Sequence, residues 1–257
     1  MLLAVDTSTS FASIALVERQ RTVAELSWDV GQRHSTELLE RLEWLLGVAQ
    51  VGVAELEGSA VATGPGSFNG VRVAVTTAKT LAFAHGLPLF GQPTLDIIAW
   101  GCAAATGPVW ALLEAGRGQV YAARYEAPAR DAARWAPVDG YHIMTPTELS
   151  ETTGASVLLC GEWRDETQAA LREALGERAR FSPVLGNRRS AWLAQLALAR
   201  AARGTPDTAA GLEPLYLRRP AITTSSKVSL KPGANDSAGR TKASASGREG
   251  VSRALHR

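Results

Sequence analysis

The sequence predicts an α/β protein built from two similar lobes, each with the element order βββαβα. Three strand-like segments open the chain and are followed by a helical pattern, a strand and a second helical pattern, and this order recurs in the second half. The chain has 257 residues, of which 46% are apolar, enough for a sizeable core. We therefore expect two lobes with a cleft between them.

The first lobe is predicted from apolar runs and from helical spacing. An apolar run at 2–6 predicts a central strand. Leucines at helical spacing predict a helix that begins at His34 or Ser35 and ends near Gly47. The remaining elements are strands at 11–17, 22–28 and 57–63, a helix at 69–85 and a closing strand at 87–90.

The second lobe is predicted to repeat this order before a last helix. Ser190 is a favourable cap for that helix, and Gly204 ends it. The other elements are strands at 109–113, 120–125, 138–143 and 157–160 and helices at 147–152 and 166–175. We expect the first lobe at 1–105, with a return of about 188–219, and the second lobe at 106–187.

The C-terminal segment 220–257 differs in composition from the rest of the chain. It is rich in Ser, Gly, Ala and basic residues and has almost no large apolar side chains, which predicts a disordered basic tail. From Lys227 onward, seven basic and two acidic residues give a charge of +5, so residues 1–226 carry −3 of the net +2. The predicted folded part is therefore mildly acidic, and the tail offers weak electrostatic affinity for RNA at most.

The composition argues against several classes of protein. No apolar run reaches the roughly 18 residues of a membrane-spanning helix, and we interpret the first residues as a strand rather than a signal peptide. Cys102 and Cys160 are too few for a disulfide scaffold and are interpreted as inert core residues. The four histidines lack the spacing of a zinc hydrolase helix. We expect a cytoplasmic protein without membrane contact.

The segment from Asp6 to Ser10 follows the first strand and enters a hairpin. A carboxylate beside hydroxyl residues, as in Asp6 and Thr7, can hold a phosphate or a hydrated Mg²⁺. The alternative is a polar turn whose side chains bond their own backbone. Both interpretations are open for this segment.

A glycine-rich loop at 63–72 lies between a predicted strand and a helix. Gly64 and Gly66 allow a close approach of the backbone to a partner, and the start of the helix offers N–H groups to an anion. The loop is not a P-loop, because no Gly-Lys-Ser/Thr follows. Arg117, at a predicted hairpin tip after Glu114, either pairs with a phosphate or carboxylate in the cleft or is a solvated turn residue.

The two helices of the first lobe are apolar on more than one face. One such face covers a sheet, and a second one indicates either a partner or further core. We predict that the helices at 35–46 and 71–85 form a docking surface. The residues predicted to line it are Leu38, Leu42, Leu45, Val71, Val75, Ala78 and Ala82.

These motifs together resemble the bacterial TsaB family over residues 2 to about 219. Typical of that family are LLAVDTST at 2–9, RHS at 33–35 before a leucine-rich helix, GPGSF at 64–68 with GVR at 70–72 and AK at 78–79, RGQVY at 117–121 and EPLYLR at 213–218. Asn69 stands where Thr is usual, and Glu114 stands where Asp is usual.

The resemblance implies an actin-like, Hsp70-like (ASKHA) duplicated fold. It implies a role in forming N6-threonylcarbamoyladenosine beside the anticodon of tRNAs that read codons starting with A. In that system the chain resembles a non-catalytic partner of the catalytic paralogue TsaD, joined by the small ATPase TsaE, with tRNA bound only through the complex. ATP and metal are then expected on the partners, with no cofactor on this chain, and a homodimer is possible when the chain is alone.

The motifs of this chain differ from those of the catalytic paralogue and of ATPases with this fold. The paralogue needs two histidines on one helix as metal ligands, whereas the comparable helix here has only His34. The second lobe has Gly116, Arg117 and Gly118 after a Glu in place of an Asp-Gly-Gly-type phosphate turn. Two alternative functions stay open. One is an independent ATPase or phosphotransferase that uses Asp6 and the glycine-rich loop. The other is a glycoprotease-type hydrolase.

Overall fold

Five strands and three α-helices make up the first half of the chain, as far as the structure describes it. The computed structural model describes residues 1–19, 21–31, 34–127, 131–154, 156–182 and 190–218. The strands are β1 (Leu2–Asp6), β2 (Phe11–Glu18), β3 (Arg21–Asp29), β4 (Gly58–Ala62) and β5 (Leu89–Gln92). The helices are α1 (His34–Ala49), α2 (Phe68–His85) and α3 (Thr94–Trp100).

The second half adds five strands and three helices to the described part of the chain. The strands are β6 (Gly107–Gly116), β7 (Gln119–Ala127), β8 (His142–Met144), β9 (Val157–Glu162) and β10 (Ala179–Phe181). The helices are α4 (Pro146–Thr152), α5 (Asp165–Leu175) and α6 (Ser190–Ala201). The tail predicted at 220–257 and Arg33 of the RHS motif lie outside the described residues.

Both sheets have the same strand order. The first sheet runs β3-β2-β1-β4-β5, and the second runs β8-β7-β6-β9-β10. In each sheet the first three strands in sequence pair antiparallel, and the fourth and fifth add in parallel. This repeated topology is the duplicated actin-like α/β fold, as the resemblance implied.

Helices cover both faces of each sheet. The helices α1 and α2 pack on one face of the first sheet, and α6 packs on the other. The second sheet is covered by α4 and α5 on one face and by α3 on the other. Ile97 of α3 also reaches the cluster around α6. The layer between the two sheets is therefore made by α3 and α6.

Local sequence sets the ends of several helices. Ser67 Oγ accepts a hydrogen bond of 3.2 Å from the Gly70 amide at the start of α2, and Gly86 ends that helix with a φ of 65°. Thr145 and Glu148 form a capping box at the start of α4. Among the described helices, none is both long and apolar enough to cross a membrane.

Three elements differ from the sequence-based expectation. The helix α3 was not predicted, because its run of apolar residues is buried on nearly every side and shows no helical period. The three-residue strand β10 is too short to give a pattern. The third strand of the second lobe starts at His142 rather than Val138, since Gly140 has a φ of 92° and interrupts the extended chain.

Candidate functional site

A cleft of about 380 Å³ lies between the two lobes where the candidate motifs meet. The turn between β1 and β2 and the glycine-rich loop form its first-lobe wall. The ends of β6 and β9 and the start of α5 form its second-lobe wall. Its lining residues are Thr9, Ser10, Gly66, Ser67, Leu113, Glu114, Glu162, Trp163 and Arg164.

The side chains of Asp6 and Thr7 are buried within the first lobe rather than presented to the cleft. Asp6 Oδ1 accepts hydrogen bonds from the Ser8 amide at 2.9 Å and from the Ser8 hydroxyl at 2.6 Å. The Thr7 hydroxyl donates to the Gly70 carbonyl at 2.7 Å. These contacts match the polar-turn interpretation, in which side chains bond nearby backbone.

The glycine-rich loop packs tightly against the β1–β2 turn and the C-terminal segment. A Cβ atom at Gly66 would clash with the Ser8 carbonyl oxygen, to which the Ser67 amide donates a hydrogen bond of 2.7 Å. Gly64 has a φ of 100°, and a Cβ there would lie 2.9 Å from the Leu215 carbonyl oxygen. The glycines thus permit close approach, as predicted, but the partner is the backbone of this chain itself.

Glu114 places a carboxylate at the start of α5. One of its oxygens accepts a hydrogen bond of 3.0 Å from the Arg164 guanidinium, and the other accepts one of 2.9 Å from the Thr167 hydroxyl. Because the start of a helix attracts anions, the chain's own carboxylate stabilises this position. A phosphate group brought to the same place would meet a like charge.

Arg117 is separate from the cleft lining. It lies exposed at the tip of the β6–β7 hairpin, where its φ of 59° is left-handed, like that of the flanking Gly116 and Gly118. Of the five predicted ligand-binding residues, the structure brings Asp6, Thr7, Gly64 and Gly66 to one end of the first sheet, and only Gly66 lines the cleft. The described residues contain no group of three His, Cys, Asp or Glu side chains that could hold a metal ion.

The seven residues predicted to line the docking surface are buried instead. They are Leu38, Leu42, Leu45, Val71, Val75, Ala78 and Ala82, and all belong to the core of the first lobe. Both helices lie on one sheet and pack against each other, so their small and apolar faces are used within the lobe. The prediction was therefore wrong for these side chains, which are not accessible to a partner.

Other apolar side chains of the same two helices are exposed. On α1, Leu39, Trp44 and Val48 are 60%, 56% and 59% exposed, and Trp44 and Val48 lie about one turn apart. On α2, Phe83 is 86% exposed. We call these four exposed residues together the apolar stripe, with Leu39 on a different side of α1 from Trp44 and Val48. Large exposed apolar side chains mark a partner surface where they form a patch.

A groove of about 990 Å³ runs beside α2 and includes Phe83 of the apolar stripe. Its other wall is the segment from Ala209 to Tyr216. Phe68 and Tyr216 stand with ring centroids 5.2 Å apart, and the Arg72 guanidinium lies 5.0 Å from the Phe68 ring centroid. The exposed apolar surface of α2 therefore continues to the C-terminal segment.

The EPLYLR motif belongs to a segment that bridges the two lobes. The Leu215 amide donates a hydrogen bond of 2.7 Å to the Thr63 carbonyl at the end of β4. Three residues later, the Arg218 guanidinium donates to the Ala115 carbonyl at 3.0 Å and to Gln119 Oε1 at 2.5 Å. The motif thus has a structural role at the β6–β7 hairpin that its sequence alone did not reveal.

Asp96 is a buried carboxylate that sequence reasoning missed. Its Oδ1 accepts hydrogen bonds from the hydroxyls of Tyr125 at 2.6 Å and Tyr141 at 2.8 Å, and its carbonyl oxygen accepts one of 3.0 Å from Trp135 Nε1. Burial raises the pKa of Asp96 to about 6, and the two tyrosine hydrogen bonds only partly oppose this rise. The cluster joins α3 to the second lobe. A lone Asp inside an apolar run was its only sequence signal.

Comparisons with known proteins agree with these features. The family described as "TsaD: tRNA N6-adenosine threonylcarbamoyltransferase" matches residues 29–138. The Bacillus subtilis "tRNA threonylcarbamoyladenosine biosynthesis protein TsaB" is 34% identical over 125 residues, which cover 49% of this chain and 55% of the relative. The Escherichia coli protein of the same name is 29% identical over 164 residues, which cover 63% and 68%.

The chain spans only about half the length of the first curated relatives that it matches in sequence. One solved structure is similar to this chain over a longer stretch. "YeaZ from Pseudomonas aeruginosa" has a TM-score of 0.71 and 26% identity, with 84% of this chain and 99% of that chain covered. With the motifs in LLAVDTST, GPGSF and EPLYLR placed at the junction of the lobes, these likenesses support a protein of the TsaB family.

Proposed function

We propose that this chain is a partner subunit, without a complete catalytic centre of its own, of the cytoplasmic assembly that forms N6-threonylcarbamoyladenosine beside the anticodon of tRNAs. The names of the similar Bacillus subtilis and Escherichia coli proteins support this pathway. The tRNAs are those that read codons starting with A, and they bind through the assembled complex.

The observation that carries the proposal is the apolar stripe of Leu39, Trp44, Val48 and Phe83 on α1 and α2. Large apolar side chains that stay in water are unfavourable by about 25 cal/mol for each Å² of surface that a partner would cover. Interface centres are enriched in aromatic residues such as Trp44 and Phe83. The partner that fits this face is a catalytic paralogue of the TsaD type.

The contacts around the cleft support a role without catalysis by this chain alone. Asp6 is engaged with its own turn, and the carboxylate of Glu114 occupies the start of α5. We therefore assign ATP to a TsaE-type ATPase and the metal and the transfer reaction to the paralogue. In the absence of the paralogue, a second copy of this chain covers the same stripe, which gives a homodimer.

Reconstitution tests the proposal. Purified full-length chain, paralogue and ATPase are combined with unmodified tRNA, ATP and a pre-formed, activated threonylcarbamoyl donor (the adenylate) that carries labelled threonine, and label in tRNA is measured with each protein left out in turn. We expect label only when all three proteins are present. Full activity without this chain would overturn the proposal, as would tight ATP binding by the isolated chain, which would favour the independent ATPase.

A further inference from the structure

A short segment that follows β7 in the chain lies against the layer between the two sheets. We call this segment, residues 131–135, the interlobe strap. Its partly buried Ala132 and Trp135 pack against the apolar cluster of α6, which covers the first sheet. Trp135 also belongs to the cluster in which α3 packs on the second sheet. The interlobe strap therefore contacts the inner helices of both lobes.

Polar contacts join the interlobe strap to the end of α6. The Arg203 guanidinium, just beyond that helix, donates a hydrogen bond of 2.8 Å to the Asp131 carboxylate and one of 3.3 Å to the Ala133 carbonyl oxygen. The same carboxylate accepts a hydrogen bond of 2.9 Å from the Ala133 amide and so caps the single turn of the strap. Because Arg203 and Asp131 are both partly exposed, this ion pair contributes little stability by itself.

Aromatic rings join the interlobe strap to α3 and β7. The Trp135 ring stacks on Tyr125 of β7 with ring centroids 4.9 Å apart, and it meets Trp100 of α3 edge-on with centroids 5.5 Å apart. Trp135 Nε1 also donates a hydrogen bond of 3.0 Å to the Asp96 carbonyl oxygen in α3. Aromatic pairs in these geometries stabilise a structure beyond the area that they bury. Trp135 is therefore the main contact of the strap.

The two helices of the layer, α3 and α6, are also joined to each other. Trp100 Nε1 at the end of α3 donates a hydrogen bond of 2.8 Å to Gln195 Oε1 on α6. At the next position a Cβ atom on Gly101 would clash with the Trp192 ring of α6, so the two elements approach closely there. Tightly packed side chains of this kind resist a gradual change in the angle between two helices.

We propose that the interlobe strap locks the two lobes of this chain at one angle, so that they move as a single rigid body. Two-lobed proteins that close around a ligand bend at a few loop or terminal residues that absorb the change. Here the layer where the lobes meet is filled by rings from the strap, α3 and α6, and both lobes belong to one compact unit. The cleft then keeps one width. The lock goes beyond the partner role proposed above and does not depend on it.

The test is the distance between spin labels placed on the two lobes of the full-length chain. A keto-bearing amino acid carries one label at Glu43, exposed on α1, and one at Glu173, exposed on α5, so that both native cysteines stay unchanged. Pulsed electron–electron double resonance then gives the distribution of distances between the labels. We expect one narrow peak. A second population, in the presence or absence of ATP and Mg²⁺, would overturn the proposal.

Variants of the strap show whether it is the lock. Trp135→Ala removes the ring that contacts both lobes, so the same labels should give a broadened or divided peak below the melting temperature of the variant. Trp135→Leu keeps more of the apolar volume and gives the same comparison if the alanine variant does not fold. Arg134→Ala, at a neighbouring position whose side chain is 81% exposed, is the control and should keep the narrow peak. Folded Trp135 variants with a peak as narrow as that of the wild type would contradict the assignment of the lock to the strap.

Discussion

The Arg164 guanidinium donates a hydrogen bond of 3.0 Å to Glu114, so that an acidic residue of β6 is held at the first turn of α5. The same carboxylate accepts a bond from Thr167. This relationship explains why the cleft resembles a ligand site in outline while its anion-attracting position is already used by the chain.

Replacing Glu114 tests that relationship. Glu114→Ala removes the carboxylate from the start of α5, and we expect the free energy of unfolding to fall by about 1 kcal/mol, since Arg164 is largely exposed and the ion pair is screened. Urea unfolding at neutral pH measures the change. Glu173→Ala, at an exposed position in the last turn of α5, is the matched control and should change stability less. Equal losses in both variants would contradict a specific role for Glu114.

The close approach of the glycine-rich loop to the β1–β2 turn gives a second prediction. Gly66→Ala places a methyl group against the Ser8 carbonyl oxygen, and we expect a loss of about 2–3 kcal/mol of stability because the neighbour is backbone. Gly47→Ala is the control, since nothing lies within 4 Å of the added atom in α1 and alanine favours helix. A Gly66→Ala protein as stable as wild type would show that the two segments are not packed together.

Asp96 predicts a dependence of stability on pH. Its folded pKa of about 6 exceeds the ordinary value of 3.8, so its favourable contribution is complete below pH 3.8 and is lost as the pH rises through 6. Asp96→Asn keeps an acceptor for Tyr125 and Tyr141 but cannot ionise. Relative to wild type, this variant should therefore gain stability between pH 4 and pH 7, by up to about 3 kcal/mol.

Parallel thermal and urea unfolding of the two proteins across that pH range measures the difference between them. Comparing the two proteins removes the contributions of all other titrating groups. A stability difference that does not change with pH would show that the Asp96 carboxyl titrates at its ordinary value despite burial.

The repeated fold was predictable because the strand and helix patterns of each lobe are local. The strand β1 was predicted at its observed bounds, and α2 to within one residue of its start. The contacts made by the polar residues around the cleft were less predictable. Whether Glu114 meets Arg164 depends on a contact between segments far apart in sequence. The hydrogen bonds of Asp6 are local, but the same residue pattern also fits a ligand site, so the sequence left both interpretations open.

The faces of α1 and α2 show the same limit. Their amino acid patterns contain several apolar faces, and the spacing alone cannot say which face lies on the sheet. Small residues such as Ala78 were assigned to the outside, whereas close packing of α2 on the sheet uses them inside. The apolar residues that are exposed on these helices are large ones such as Trp44 and Phe83.

The burial of Ala78 in α2 gives a prediction for Ala78→Glu that differs from that for an interface mutation. Because Ala78 is fully buried, the carboxylate would be forced into the core, and we expect the chain to lose several kcal/mol of stability and to unfold or aggregate. Thr80→Glu, on the exposed side of the same helix, should remain folded. Circular dichroism and melting temperature compare the two variants. A well-folded Ala78→Glu protein would place this residue outside the core.

The affinity of the chain for a TsaD-type paralogue tests the central claim most directly. Trp44→Glu and Phe83→Glu change exposed side chains, so both should keep the wild-type circular dichroism and melting temperature. Each should weaken binding about a hundredfold, or by about 3 kcal/mol, as measured by titration calorimetry. Val138→Glu places the same acidic side chain at an exposed apolar position of the second lobe, and this variant should bind like wild type. Unchanged affinity in both stripe variants would contradict the account and place the docking surface elsewhere.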